Sequence, residues 1–424
     1  MNLFTIIAVL LTLSAAFGYL NHRYIKLPVT IGTMLISTVL SVGMVVLGHA
    51  GQLGLGIEER WIALVRSIEF DKTLLVGMLG FLLFAGALEV NLNELLHRKW
   101  EVLVLATVGT VLSTALVGGA AYGIVRWVGL DIDLLHCLLF GALISPTDPI
   151  AVLGIMRASG VPKGLEMLIS GESLFNDGVG VVLFVTLLGA AGSGAPLSVG
   201  ASASFFLLEF GGGALLGLAL GWAAFLVLRS IDDYHVEVLV TLSLVTGGYS
   251  LASALHTSGP IAMVVAGLLI GNHGRRFAMS ERTRQHLDTF WELIDQILNS
   301  LLFVLIGLEL LIVTLSRPAV AAGLLMIPAI LTARLIAVGT PLFLLPARSQ
   351  YGGRALAIMT WGGLRGGISV ALALSLPRGH ERDVIIAMTY TVVVFSILVQ
   401  GLTVKHLSSL SGPPEWFRRL RSRK

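Results

Sequence analysis

The residues in this 424-residue chain that could do chemistry are gathered into a few short stretches inside otherwise apolar runs. In LLHCLLFGALISPTDPIAVLGIM, Asp148 lies between Pro146 and Pro149, halfway along a run long enough to cross a membrane. Each proline removes a backbone N–H, freeing the carbonyls of Ala142 and Ser145, and each biases the residue before it away from helix. Unwound backbone at membrane depth survives only where protein buries it or a wet cavity reaches it, and such breaks present carbonyl oxygens to cations. Thr147 and Asp148 therefore stand at a candidate ion site. A proline kink with an incidental carboxylate is the plainer alternative, but a kink alone does not need a buried acid.

The stretch GESLFNDGVG, Gly171 to Gly180, is the second. Helical spacing puts Ser173 and Asp177 on one face and Glu172 and Asn176 on the adjacent one. A hydroxyl and a carboxylate are hard oxygen donors suited to a small alkali cation, and a carboxylate carries either that cation or a proton. Competition for Asp177 is by itself an exchange mechanism. Glu172 would be costly if buried alone, and Arg334, inside the apolar LTARLIAV, is its candidate partner in a structural ion pair, with gating as the lesser reading. In the third stretch, WGGLRGGISVALALSLP, four glycines flank Arg365. Glycine is about 1 kcal/mol worse than alanine in a helix interior, so the cluster predicts another broken helix. Small-residue packing explains the glycines but not the charge, which could compensate carbonyl ends of half-helices or balance Asp148.

Weaker candidates are Asp288, Glu292, Asp295 and Asn299, whose spacing could form an acidic face of a cytoplasmic funnel or a solvated helix end. Glu89, Asn91, Glu209, His256 and Glu309 are read as interfacial or packing residues. Cys137, the single cysteine, has no partner for a disulfide or thiolate site and is read as a packed apolar side chain.

The elements that must position these groups follow from composition. With 55% hydrophobic and 12% charged residues and a mean hydropathy of +0.89, the chain is far less charged than a soluble protein at about 25%. Spans of about 20 apolar residues recur, and the fold class is an all-α polytopic membrane protein. Thirteen spans are predicted, near 2–20, 28–48, 71–91, 100–126, 134–157, 163–191, 198–229, 235–255, 258–272, 289–314, 318–346, 352–376 and 384–404. Residues 51–70 are too charged to span and are expected to be a loop with a short interfacial helix. The first run has no Lys or Arg before Leu3 and is read as a retained helix, not a signal peptide.

Alternating the loops places nineteen Lys and Arg residues on the side of the C-terminus and seven on the other, Arg334 and Arg365 falling inside spans. That bias puts the N-terminus outside and the C-terminus in the cytoplasm of a cell membrane. The spans make one membrane domain, 1–410, followed by a short basic tail, 411–424. The fifth and twelfth spans are discontinuous and hold corresponding places in two six-helix sets, about 1–191 and 235–404, joined by a linker helix at 198–229. The sets begin on opposite sides, so they are read as inverted repeats. Topology and anionic lipid account for the basic excess without any nucleic-acid partner.

These motifs, SPTDP at Ser145–Pro149, GESLFND at Gly171–Asp177 and GGLRGG at Gly362–Gly367, in this order and with the arginine of LTARLIAV, resemble the cation:proton antiporter family of the NhaP and eukaryotic sodium/proton exchanger kind. The resemblance covers nearly the whole chain. It implies a homodimer with an elevator-like core, transported Na⁺ and H⁺ with no cofactor, and Asp177 as principal carrier. Thr147, Asp148 and Ser173 would complete the Na⁺ site, directly or through water. Asn176 is similar to the Asn of the family's Asn-Asp motif, which implies electroneutral one-for-one exchange. Glu172 and Arg334 match the family's intramembrane ion pair, and Arg365 its broken-helix arginine. The short tail after Pro413 resembles prokaryotic members.

Other functions fit less well. A potassium/proton or broad monovalent cation/proton exchanger would share these motifs, which do not fix ionic radius. A channel is expected to show a continuous filter or a charged ring. GESLF lacks the second glycine of a hydrolase nucleophile elbow, and no phosphate-binding loop points to ATP.

Overall fold

The computed structural model describes residues 3–49, 57–66, 68–148, 153, 156, 162–193, 199–344 and 353–404, and every regular element among them is helical. Fifteen helices matter here: α1 (Leu3–Leu20), α2 (Val29–His49), α3 (Ile57–Arg66), α4 (Leu79–Glu89), α5 (Thr110–Trp127), α6 (Leu134–Ile144), α7 (Lys163–Ser193), α8 (Val199–Arg229), α9 (Tyr234–Ala254), α10 (Gly259–Leu269), α11 (Glu281–Glu309), α12 (Arg317–Leu344), α13 (Gly353–Trp361), α14 (Gly367–Leu374) and α15 (His380–Phe395). Single π-helical turns extend five of them: Asn21–Ile25 after α1, Thr73–Met78 before α4, Leu105–Gly109 before α5, Ile270–Gly274 after α10 and Ser396–Gln400 after α15. Among the described residues ten helices are long and apolar enough to cross a membrane, and α6 is a shorter apolar one. The basic tail at 411–424 lies outside the described residues.

Most helix ends fall within a few residues of the sequence expectation. The exception is α11, expected from 289 but beginning at Glu281. Its first turns are charged, which lowers local hydropathy, yet Ser280 caps it by accepting the Thr283 N–H (3.4 Å), and a capped amphipathic turn needs no apolar window. The charged segment before α4 does contain a short helix, α3, as its composition suggested.

Water-facing helices would hide their leucines, but Leu207, Leu208 and Leu215 of α8 are 68%, 73% and 71% exposed, the surface a lipid solvent requires. Where helices meet one another, small residues let the backbones touch. A Cβ on Gly221 of α8 would stand 3.1 Å from Ala266 Cα of α10, and one on Gly217 would overlap the Ala262 carbonyl. The buried apolar side chains form two clusters. One joins α4, α8, α9, α10 and the first half of α11 around Trp291, whose indole N–H donates to Thr241 Oγ1 (3.1 Å); the other fills the rest of the bundle.

Candidate functional site

Two helices are interrupted, and their breaks meet. After α6 the chain runs irregularly through Ser145–Asp148, and Gly362–Gly366 separates α13 from α14. The Asp148 N–H donates to the Leu364 carbonyl (2.8 Å), and the Arg365 N–H donates to Ser396 Oγ (2.9 Å), so each break satisfies backbone groups with the other break or with a neighbouring helix. Arg365 is 2% exposed, and its Nη1 donates to the carbonyls of Ser145 (2.6 Å) and Pro146 (2.9 Å). A guanidinium at the carbonyl end of α6 opposes the negative end of that helix's dipole. Of the two roles the sequence left open for Arg365, this geometry is the carbonyl one. The Ser145 carbonyl is the one that Pro149 leaves without a helical donor, although Pro149 itself lies outside the described residues.

Asp148 sits at the other half-helix. A Cβ on Gly366, the residue that opens α14, would stand 2.7 Å from Asp148 Oδ2, so the carboxylate lies against the N-terminal end of α14, where unpaired N–H groups favour an anion. Only glycine permits that approach.

α7 supplies the remaining groups from one stretch of its length. Ser173 Oγ donates to the Thr147 carbonyl (2.5 Å). The Asn176 amide is used twice on the same residue, Nδ2 donating to Thr147 Oγ1 (2.9 Å) and Oδ1 accepting the Thr147 N–H (3.4 Å). Asn176 therefore clamps the break from behind. Glu172 and Arg334 form the bidentate ion pair expected of them: Nη2 donates to Oε2 (2.9 Å) and Nη1 to Oε1, with both side chains buried. Gly363 leaves room for it, since a Cβ there would be 2.8 Å from Arg334 Nε.

A cavity of about 790 Å³ reaches these groups and is lined by Asp148, Ser173 and Asp177, while Thr147 and Asn176 stand behind its wall. No described residue donates a hydrogen bond to the Asp177 carboxylate, and Asp148 is within electrostatic reach of it. The α11 residues Asp288, Glu292, Asp295 and Asn299 all line this cavity, which makes the weaker of the sequence candidates part of its wall. Asp288 is ion-paired with Arg275 at the mouth. Glu89 and Asn91, read from sequence as interfacial or packing residues, also line it. Ser369 was missed; a polar residue in the first turn after GGLRGG was the available signal. Glu309 is buried at the opposite end of α11 from Asp288, and Cys137 is packed in the core.

A helical membrane bundle in which two interrupted helices cross beside cavity-lining carboxylates is the architecture of a secondary transporter. Residues 9–409 match the family described as sodium/hydrogen exchanger, transmembrane. The Na⁺/H⁺ antiporter NhaP of Pseudomonas aeruginosa is 49% identical over 403 residues, covering 94% of this chain and 95% of that one. The Na⁺/H⁺ antiporter NhaH of Halobacillus dabanensis is 40% identical over 363 residues, covering 82% and 85%. The structure of the sodium proton antiporter MjNhaP1 of Methanocaldococcus jannaschii at pH 8 superposes with a TM-score of 0.74 at 19% identity, covering 96% of this chain and 99% of that one. The chain belongs to the sodium/hydrogen exchanger family, a multi-pass transporter rather than an enzyme.

Proposed function

We propose that this chain exchanges Na⁺ for H⁺ across a cell membrane, with cation and proton competing for Asp177. The observation that carries the proposal is the Asp177 carboxylate, 9% exposed at the wall of the 790 Å³ cavity and bonded to no described donor. An ionised acid so placed needs a proton or a cation, and the hydroxyl of Ser173 and the carboxylate of Asp148 are oxygen donors on the same wall. Thr147 and Asn176 act indirectly in this reading: Ser173 and Asn176 hold the break rigid so that Asp148 stays in register with Asp177. The names of the bacterial relatives support sodium as substrate.

The wider arrangement belongs to the same proposal. Thirteen crossings, with 1–191 and 235–404 as inverted repeats about the linker helix at 198–229, would put the N-terminus outside and the C-terminus in the cytoplasm. The cavity mouth, with Arg275 and Lys163, then faces the cytoplasm, and this conformation is inward-open. A homodimer and one-for-one electroneutral exchange complete it.

Proteoliposomes with an imposed pH gradient, loaded with a pH dye and challenged with Na⁺, Li⁺ or K⁺ under a clamped potential, test the proposal. The expected result is cation-driven, voltage-insensitive proton movement that Asp177→Asn abolishes in a folded protein. Exchange persisting in that variant would refute the carrier assignment, and a K⁺ response equal to Na⁺ would make this a broad monovalent cation exchanger.

A further inference from the structure

The α11 face that descends through the cavity changes character at its last step. Asp288, Glu292, Asp295 and Asn299 lie at i, i+4, i+7 and i+11 and all line the same cavity. The upper two are already engaged, Asp288 by Arg275 and Glu292 by the Gln296 amide (3.1 Å). Asn299 is 2% exposed; its Nδ2 is within reach of the Asp295 carboxylate one turn back, whereas its Oδ1 makes no hydrogen bond to a described residue. Leu302, one turn further on, is pressed against Gly367 at the start of α14. A buried amide oxygen left without a donor carries a desolvation penalty unless something passing through the cavity meets it.

Building on the cation/proton exchange reading, we propose that Asn299 is a further cation ligand, the last oxygen on the path from the cavity mouth to Asp177. Its Oδ1 takes the partly dehydrated cation from Asp295 and holds it while Asp177 gives up its proton. The amide type matters. A hard oxygen is needed there, but a third carboxylate beside Asp148 and Asp177 would compete for the proton and hold the ion too long. An amide supplies the oxygen without a charge.

The test uses full-length Asn299→Ala, Asn299→Ser and Asn299→Asp in proteoliposomes, each first checked for a monodisperse size-exclusion peak. Loss of one ligand in Asn299→Ala is expected to raise the apparent KM for Na⁺ about five- to tenfold, with the pH of half-maximal exchange unchanged and the Na⁺, Li⁺ and K⁺ ordering flattened. Asn299→Ser, which keeps an oxygen, should recover part of the affinity. Asn299→Asp should lower KM, slow the maximal rate and move the pH profile. Wild-type KM and cation ordering in folded Asn299→Ala overturn the proposal; if the alanine variant fails to fold, wild-type pH and KM behaviour in Asn299→Asp overturns it equally. Absence of cation-driven proton flux in the wild type is a different failure, that of the exchanger reading itself.

Discussion

Removing either member of the Glu172–Arg334 pair should destabilise the protein, and the two removals should not be equal. Both side chains are buried, 1% and 7% exposed, and linked by two hydrogen bonds. Breaking a buried pair from one side leaves an uncompensated charge, at about 3–5 kcal/mol. Arg365 is within electrostatic reach of both partners. Arg334→Met thus leaves Glu172 with a second cation nearby, whereas Glu172→Gln leaves Arg334 and Arg365 facing each other with no counter-charge between them. Glu172→Gln is expected to be the more damaging change. The double variant Glu172→Leu/Arg334→Met should regain most of the loss, because a buried pair replaced by apolar groups of similar volume is often neutral. Fluorescence-monitored thermal melting in one detergent, with monodispersity as a second readout, measures the cycle. Single variants that melt with the wild type yet fail to exchange would refute a structural role and put the pair in the transport step.

Two further outcomes follow from the site. If cation and proton compete for Asp177, acid must weaken cation binding: the protonated form has no free carboxylate, so below its pKa the apparent KM for Na⁺ should rise by up to about tenfold per pH unit. An apparent KM flat with pH in proteoliposomes would refute competition at one group. Gly366→Ala would bring a Cβ to 2.7 Å from Asp148 Oδ2 and 2.9 Å from its Cβ; displacement of that residue should cut exchange strongly and, as overpacking does, lower stability by about 1–3 kcal/mol, seen as a lower melting temperature.

Much of this architecture was legible because the bilayer makes departures from apolarity conspicuous. Asp148 between two prolines and Arg365 among four glycines marked both breaks, and the structure brings the two into direct backbone contact. The Glu172–Arg334 pair was legible from the cost of burying either alone. The start of α11 was not: a hydropathy window averages away a charged, capped, amphipathic turn. Nor was the role of Asn176, since spacing puts its amide on a helix face but says nothing about which backbone group it will meet. Ser369 and Glu89 escaped because their importance lies in a cavity built by α4, α7, α11 and α14 together, which no single helix pattern encodes.

The arrangement of Asn176 bears on stoichiometry. A second acid beside Asp177 would add a second carrier only if its side chain reached the cavity. Here the side chain at 176 is turned to Thr147, holding its hydroxyl and its N–H, and does not line the cavity, whereas Asp177, the next residue, does. A carboxylate at 176 would keep the bond from the Thr147 N–H and could accept the Thr147 hydroxyl proton in place of the present amide bond, but it would bury a charge behind the wall that cations reach. Asn176→Asp is therefore expected to lower cation affinity about five- to tenfold, because the buried charge loosens the Thr147 break, and under the proposed one-for-one exchange the flux should remain insensitive to membrane potential. Recording proton flux at clamped positive and negative potentials decides it. Voltage-dependent exchange in this variant would mean that the 176 side chain reaches the cavity during the cycle, and that charge count, not the direction in which the side chain is held, sets how many protons move.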